Sequence, residues 1–199
     1  AWIMLSIVAA FSLAVLMSYL KGRSRIIAHL ISAVVFIAGL SYPMLAFPYK
    51  ANNFKPALGF YLDDFHRIQR ETPDEAAAIL WLQKAPDGVI VEATGGPYSN
   101  FGRISTYTGL PTVLGWGNHE GQWRGAEFQN ILAQRTTDIE TLYSTSNWSI
   151  AKTILDRYDI RYIVIGQLER ISYRIMEEKF KNHLPIGFQQ GNIIIYEVP

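Results

Sequence analysis

RYIVIG, residues 161–166, is the clearest strand in this chain: an unbroken β-branched and aromatic run that stops at a glycine. What surrounds it decides the architecture. Before it, residues 147–158 read as a helix with Ile150, Ile154 and Leu155 on one face, and residues 126–143 as a longer one. Further upstream, GVIVEA (88–93) is a second buried strand, short and bounded by turn residues, and PTVL (111–114) reads as another. Thr72-Pro73-Asp74-Glu75 opens a helix with a capping threonine, a first-turn proline and acids at the positive dipole end. Its apolar face holds Ala78, Ile79 and Leu82, with Trp81 beside it. Downstream, a helix is predicted over 172–181, then two strands, 186–189 and 192–197, around Gln190-Gly191. Strand and helix alternate, which predicts an α/β domain over 72–199 with a parallel or mixed sheet and helices against it.

The first fifty residues are of a different kind. Residues 1–20 carry no charge and match the length needed to cross a hydrocarbon core of ~30 Å as a helix. A second apolar stretch runs over 26–47, and Lys21-Gly22-Arg23-Ser24-Arg25 lies between the two. A signal peptide would put its basic residues before the apolar run; here they follow it, and a second span comes at once. Residues 1–49 therefore read as a transmembrane helical hairpin and residues 50–71 as a linker. A chain that opens inside a span is expected to be the C-terminal piece of a longer membrane protein. Three cations in the short loop place that loop in the cytoplasm and the α/β domain on the extracytoplasmic face.

All 17 acidic residues follow position 49, with all but three of the 18 basic ones, so the outer part is near −2 and is not expected to bind nucleic acid. The absence of cysteine excludes disulfides and thiolate metal sites. Asn147-Trp148-Ser149 matches a glycosylation acceptor pattern at the expected start of a helix.

Ligands of such sheets bind beyond the carboxyl ends of the strands. Three polar-aromatic stretches fall there: 92–98 from Glu92 to Tyr98, 166–170, and GLPTVLGWGNHEGQWRG, residues 109–125. His119-Glu120 begins like the zinc-protease H-E-x-x-H, but Trp123 stands at the second histidine. Gly95-Gly96 lacks a P-loop lysine and a dinucleotide-loop spacing, and no serine elbow is present. What remains is a surface for a carbohydrate or lipid phosphate: aromatic faces for sugar rings, carboxylate and amide groups for hydroxyls, an arginine fork for phosphate. Trp116, Asn118, His119, Glu120, Trp123 and Arg124 supply all of these. The competing reading is a structural loop in which both tryptophans fill the core and Arg124 pairs with an acid.

The series Glu92…Tyr98, Gly102-Arg103-Ile-Ser-Thr-Tyr-Thr-Gly109-Leu-Pro-Thr-Val-Leu-Gly-Trp116, His119-Glu120, Gln122-Trp-Arg-Gly125, Arg135…Asp138…Leu142-Tyr143 and Tyr162…Gly166 resembles the C-terminal region of the "YYY" family of prokaryotic multi-spanning membrane proteins. Those proteins look like GT-C glycosyltransferases, relatives of the oligosaccharyltransferase catalytic subunit and of protein mannosyltransferases. The resemblance implies a polyprenyl-phosphate sugar donor, catalytic acids in a membrane body outside this chain, and an outward C-terminal domain that helps to bind acceptor. The oligosaccharyltransferase motif W-W-D-Y-G is missing. Candidate ligand-binding residues are thus Glu92, Tyr98, Trp116, Asn118, His119, Glu120, Trp123, Arg124 and Arg135, with no catalytic residue and no metal ligand. No cofactor is expected in this chain, and the resemblance admits a divalent cation in the full-length protein. Expected partners are the bilayer, further transmembrane helices of the same protein or of partner subunits, and a glycan or lipid-linked sugar. A non-catalytic accessory subunit is the alternative, and a free-standing hydrolase ranks last.

Overall fold

The computed structural model describes residues 2–55 and 59–199 and divides into two units, Ala1–Phe60 and Tyr61–Pro199. Residues 56–58 of the expected linker lie outside the described residues, as does residue 1 of the expected hairpin.

In the first unit, α1 (Trp2–Tyr19) and α2 (Gly22–Lys50) are both long and apolar enough to cross a membrane. No described residue of either is buried, and most of their large apolar side chains are exposed. The basic loop is shorter than its sequence suggests, because α2 already begins at Gly22 and carries Arg23 and Arg25 in its first turn. A short 3-10 turn, Asn52–Phe54, follows.

The second unit contains α3 (Phe65–Glu71), α4 (Pro73–Leu82), β1 (Val89–Val91), α5 (Arg103–Thr108), α6 (Gly117–Arg124), α7 (Phe128–Ser144), α8 (Trp148–Arg157), β2 (Ile160–Ile165), α9 (Gln167–Ser172), α10 (Glu178–Lys181), β3 (Ile186–Gln190) and β4 (Ile193–Glu197). The sheet order is β1-β2-β4-β3, with β1 and β2 parallel and the other two pairings antiparallel. The expected mixed sheet of an α/β domain is what forms.

Side-chain alternation then divides the core in two. Val91, Ile163, Ile165 and Tyr196 point to one face, where Ile139, Leu142 and Tyr143 of α7 and Ile154 and Leu155 of α8 cover them. Ile90, Tyr162, Val164, Ile193 and Ile195 point to the other, against Ala78, Ile79 and Leu82 of α4 and Ile104 of α5. RYIVIG is apolar without interruption because helices cover both sides of β2.

Four local expectations change. Thr72 does not cap α4 with its side chain: α3 runs directly into it, and the Thr72 hydroxyl donates to the Ile68 carbonyl at 3.3 Å. Residues 111–114 make only a single bridge, Thr112 to Ile90, since Pro111 has no N–H to donate and the chain soon turns toward α6. Of the helix expected over 172–181 only α10 forms, with α9 ending at Ser172; between them Tyr173 stacks on Tyr143 and the Met176 N–H donates to the Tyr143 carbonyl. Residues 117–124, expected as loop, are the helix α6. Its Gly117 and Gly121 allow close approach to α7. A Cβ on Gly117 would stand 2.4 Å from Leu132, and one on Gly121 3.0 Å from Gln129.

Candidate functional site

The carboxyl ends of the parallel strands β1 and β2 lie side by side, and each is followed by a buried glutamate, Glu92 and Glu169. Arg103, at the start of α5, reaches between them. Its guanidinium donates to both oxygens of Glu169, at 3.1 and 3.2 Å, and to Glu75 of α4 at 2.8 and 2.5 Å. Glu92 stands farther off, 3.7 Å from the same guanidinium. One buried cation thus faces three carboxylates.

Backbone donors make up part of the deficit. Glu169 accepts the Ala93 and Gly166 N–H groups, and Glu92 accepts those of Ile104 and Ser105 at 2.9 and 2.8 Å, capping α5 from across the chain. The two glutamates nevertheless diverge. Burial pushes the Glu92 carboxyl up to about 7, since two backbone bonds and a distant arginine do not offset its desolvation. Burial acts the same way on Glu169, but the bidentate arginine outweighs it and the pKa falls below the ordinary value. For Arg103, burial opposes the charged form, and Glu169 and Glu75 together raise the pKa despite it. Beside this network, Arg67, Glu71, Glu75, Asn100, Arg103 and Gln167 line a cleft of about 270 Å³.

Glu92 is therefore corrected as a ligand contact: its carboxylate is fully enclosed and engaged by α5. Arg135 is likewise turned inward, donating to the Val113 carbonyl at 2.9 Å and pinning the 111–114 segment to α7.

The other candidates assemble into a second feature, an aromatic platform. Trp116 is half-buried and fixed by an Nε1 donation to the Phe101 carbonyl at 2.7 Å. Tyr98 packs against it with ring centroids 5.2 Å apart, His119 stands against both, 5.6 Å from Tyr98 and 6.1 Å from Trp116, and Trp123 lies 6.2 Å beyond His119. Tyr98 and Trp123 are each 80% exposed. Tyr98 holds a left-handed backbone conformation, φ 57°, which is costly for a tyrosine. Glu120 accepts the Gly115 N–H at 3.0 Å and sits 3.6 Å from Arg124, whose guanidinium lies over the Phe128 ring. Asn118 is exposed on the first turn of α6.

The structural reading of the 109–125 stretch holds for some of its residues and not for others. Arg124 does pair with an acid and Trp116 is anchored, while Trp123 fills no core. Residues 92–98 meet 166–170 in the buried network and 109–125 at the platform, so the three stretches do not share one surface. Arg103, Glu75 and Glu169 lie far apart in sequence, and nothing local singles them out as a unit. The available signal was an acid directly after one strand and another three residues beyond the glycine of the next.

No family model matches the chain, and no curated protein matches it. Among solved structures, the chain is similar to the C-terminal globular domain of an oligosaccharyltransferase from Archaeoglobus fulgidus, at 12% identity and a TM-score of 0.42, covering 64% of this chain and 98% of that one.

Proposed function

We propose that this chain is the acceptor-side module of an integral-membrane, GT-C-like glycosyltransferase that uses a polyprenyl-phosphate sugar donor. The α/β domain faces outward, and the chemistry is supplied by parts of the membrane body outside this chain. The aromatic platform carries the reading. Tyr98, Trp116 and His119 cluster ring against ring, Trp123 extends from His119, and Tyr98 and Trp123 are open to solvent; Tyr98 is presented from a strained, left-handed backbone. Flat aromatic faces take the apolar faces of sugar rings, and Asn118, Glu120 and Arg124 stand at the rim to hydrogen-bond hydroxyls or a phosphate. The residues of the platform also belong to the sequence series that resembles the "YYY" proteins. The bare apolar surfaces of α1 and α2 suit lipid and further transmembrane helices of the same protein or of partner subunits.

The test is a titration of the chain in detergent with a short-chain polyprenyl-phosphate sugar and, separately, with free oligosaccharides, read by tryptophan fluorescence. Saturable quenching that Trp123→Ala and Tyr98→Ala each weaken at least tenfold supports the reading. Unchanged affinity in both variants removes the platform from function.

A further inference from the structure

We infer that Asn147 is an acceptor for an N-linked glycan, so that the domain is itself a substrate of lipid-linked sugar transfer. The inference rests on the outward orientation proposed above, which places the residue in the compartment where such donors are used. The sequence supplies the acceptor pattern, Asn147-Trp148-Ser149; the structure supplies the accessibility and the atoms.

Asn147 is exposed and precedes α8 as its N-cap, in an extended conformation with φ −84° and ψ 114°. Its Oδ1 accepts the Ser149 N–H at 2.9 Å and the Ile150 N–H at 3.3 Å. Its Nδ2 has no partner among the described residues, and neither has the exposed Ser149 hydroxyl. The carbonyl oxygen is therefore committed to the fold and the amide nitrogen is left over. Between the two polar residues, Trp148 is held against the domain by a stack on His183, with centroids 4.3 Å apart and planes at 11°. The tryptophan thus fixes the segment while Asn147 and Ser149 face solvent.

This division of labour makes glycosylation compatible with the folded state. In the transfer, the bond between the sugar's anomeric carbon and the lipid-phosphate oxygen breaks, and the phosphate leaves with the electron pair. The Nδ2 lone pair forms the new bond to the anomeric carbon, and one Nδ2 proton passes to a base of the transferase. The product is a secondary amide whose Oδ1 still accepts from Ser149 and Ile150. The cap survives, and the glycan projects where nothing in the domain stands in its way.

Aspartate keeps the Oδ1 acceptor and caps helices as well as asparagine does, but it has no nitrogen to glycosylate. The experiment is intact-mass and peptide mass spectrometry of the full chain purified from its native membranes, with Asn147→Asp, Ser149→Ala and Ser149→Thr in parallel. Circular dichroism verifies that each variant folds. Orientation is read on the same cells by labelling Asn192→Cys with an impermeant thiol reagent. The expected result is a glycan mass on the peptide containing residue 147, lost completely in Asn147→Asp and Ser149→Ala and retained in Ser149→Thr. An unmodified peptide on a chain whose position 192 labels from outside overturns the inference and leaves the outward reading intact. An unmodified peptide with position 192 shielded overturns both. A mass addition that persists in Asn147→Asp places the modification elsewhere and overturns the inference as well.

Discussion

Replacing Glu92 with glutamine isolates the charge of a carboxyl that the fold encloses completely. Its pKa stands at about 7 in the folded chain against an ordinary 4.5. The sign follows from the raised value. Below pH 4.5 the group is protonated in both states and adds no penalty. As pH rises, the unfolded chain ionises first, and the penalty is complete once pH passes the folded value near 7. From pH 5 to pH 8 the wild-type chain should lose about 2.5 kcal/mol through this one group.

Glutamine cannot ionise, so that loss disappears. It retains one acceptor for the Ile104 or Ser105 N–H and turns its amide on the other, at a cost of about 1–2 kcal/mol at every pH. The stability curves should therefore cross, with Glu92→Gln the weaker chain at pH 5 and the stronger at pH 8. Urea unfolding in detergent, followed by tryptophan fluorescence, measures both curves. Glu169 and Glu177, whose pKa values are lowered, lose their contribution only as pH falls through and below the ordinary carboxylate range, beneath the window compared. Lys179, which burial lowers to about 8, acts equally in both chains and cancels. A difference between the two chains that stays within about 0.5 kcal/mol from pH 5 to pH 8 would refute the account of Glu92.

Arg103→Leu should cost roughly 3–5 kcal/mol, because it strands Glu75 and Glu169 beside Glu92 with no cation; circular dichroism melting reads the loss. Tyr143→Phe removes the hydroxyl that bridges the Val91 and Val164 carbonyls of the parallel strands, and urea titration should show a loss of roughly 1–3 kcal/mol. Ile79→Ala opens a cavity between α4 and the sheet and should cost about 2–5 kcal/mol in the same assay. In membranes, a cysteine at Ser24 should resist an impermeant thiol reagent applied from outside while one at Asn192 reacts; the reverse pattern turns the proposed orientation over.

The sheet was legible because β2 and β4 are built from adjacent β-branched residues that two helical layers enclose. The helix α6 was not. Glycine at 117 and 121 argues locally for a loop, and the fact that outweighs it is Leu132 and Gln129 of α7 standing where side chains would be. Glu92 misled for a related reason. An acid just past a strand is expected at the surface, and only the position of α5 shows that its N–H groups claim the carboxylate. Tyr98, Trp116, His119 and Trp123 were recognisable as a group by composition. Their division into an anchored ring and open ones depends on the Phe101 carbonyl, ten or more residues from each of the α6 rings.

β3 and β4 are joined across only Gly191 and Asn192, whereas β1 finds its parallel partner β2 across the whole segment 92–159. Chain closure over a long segment is entropically slower to achieve than a hairpin, so the C-terminal pair is placed to form early and the β1–β2 contact late. The platform lies inside that late-closing segment, with Tyr98 and Trp116 on stretches tethered to β1 and α7. The docking of these rings onto the sheet is consequently expected after the hairpin has formed. A nascent or partly opened domain would carry the rings without their place against the sheet.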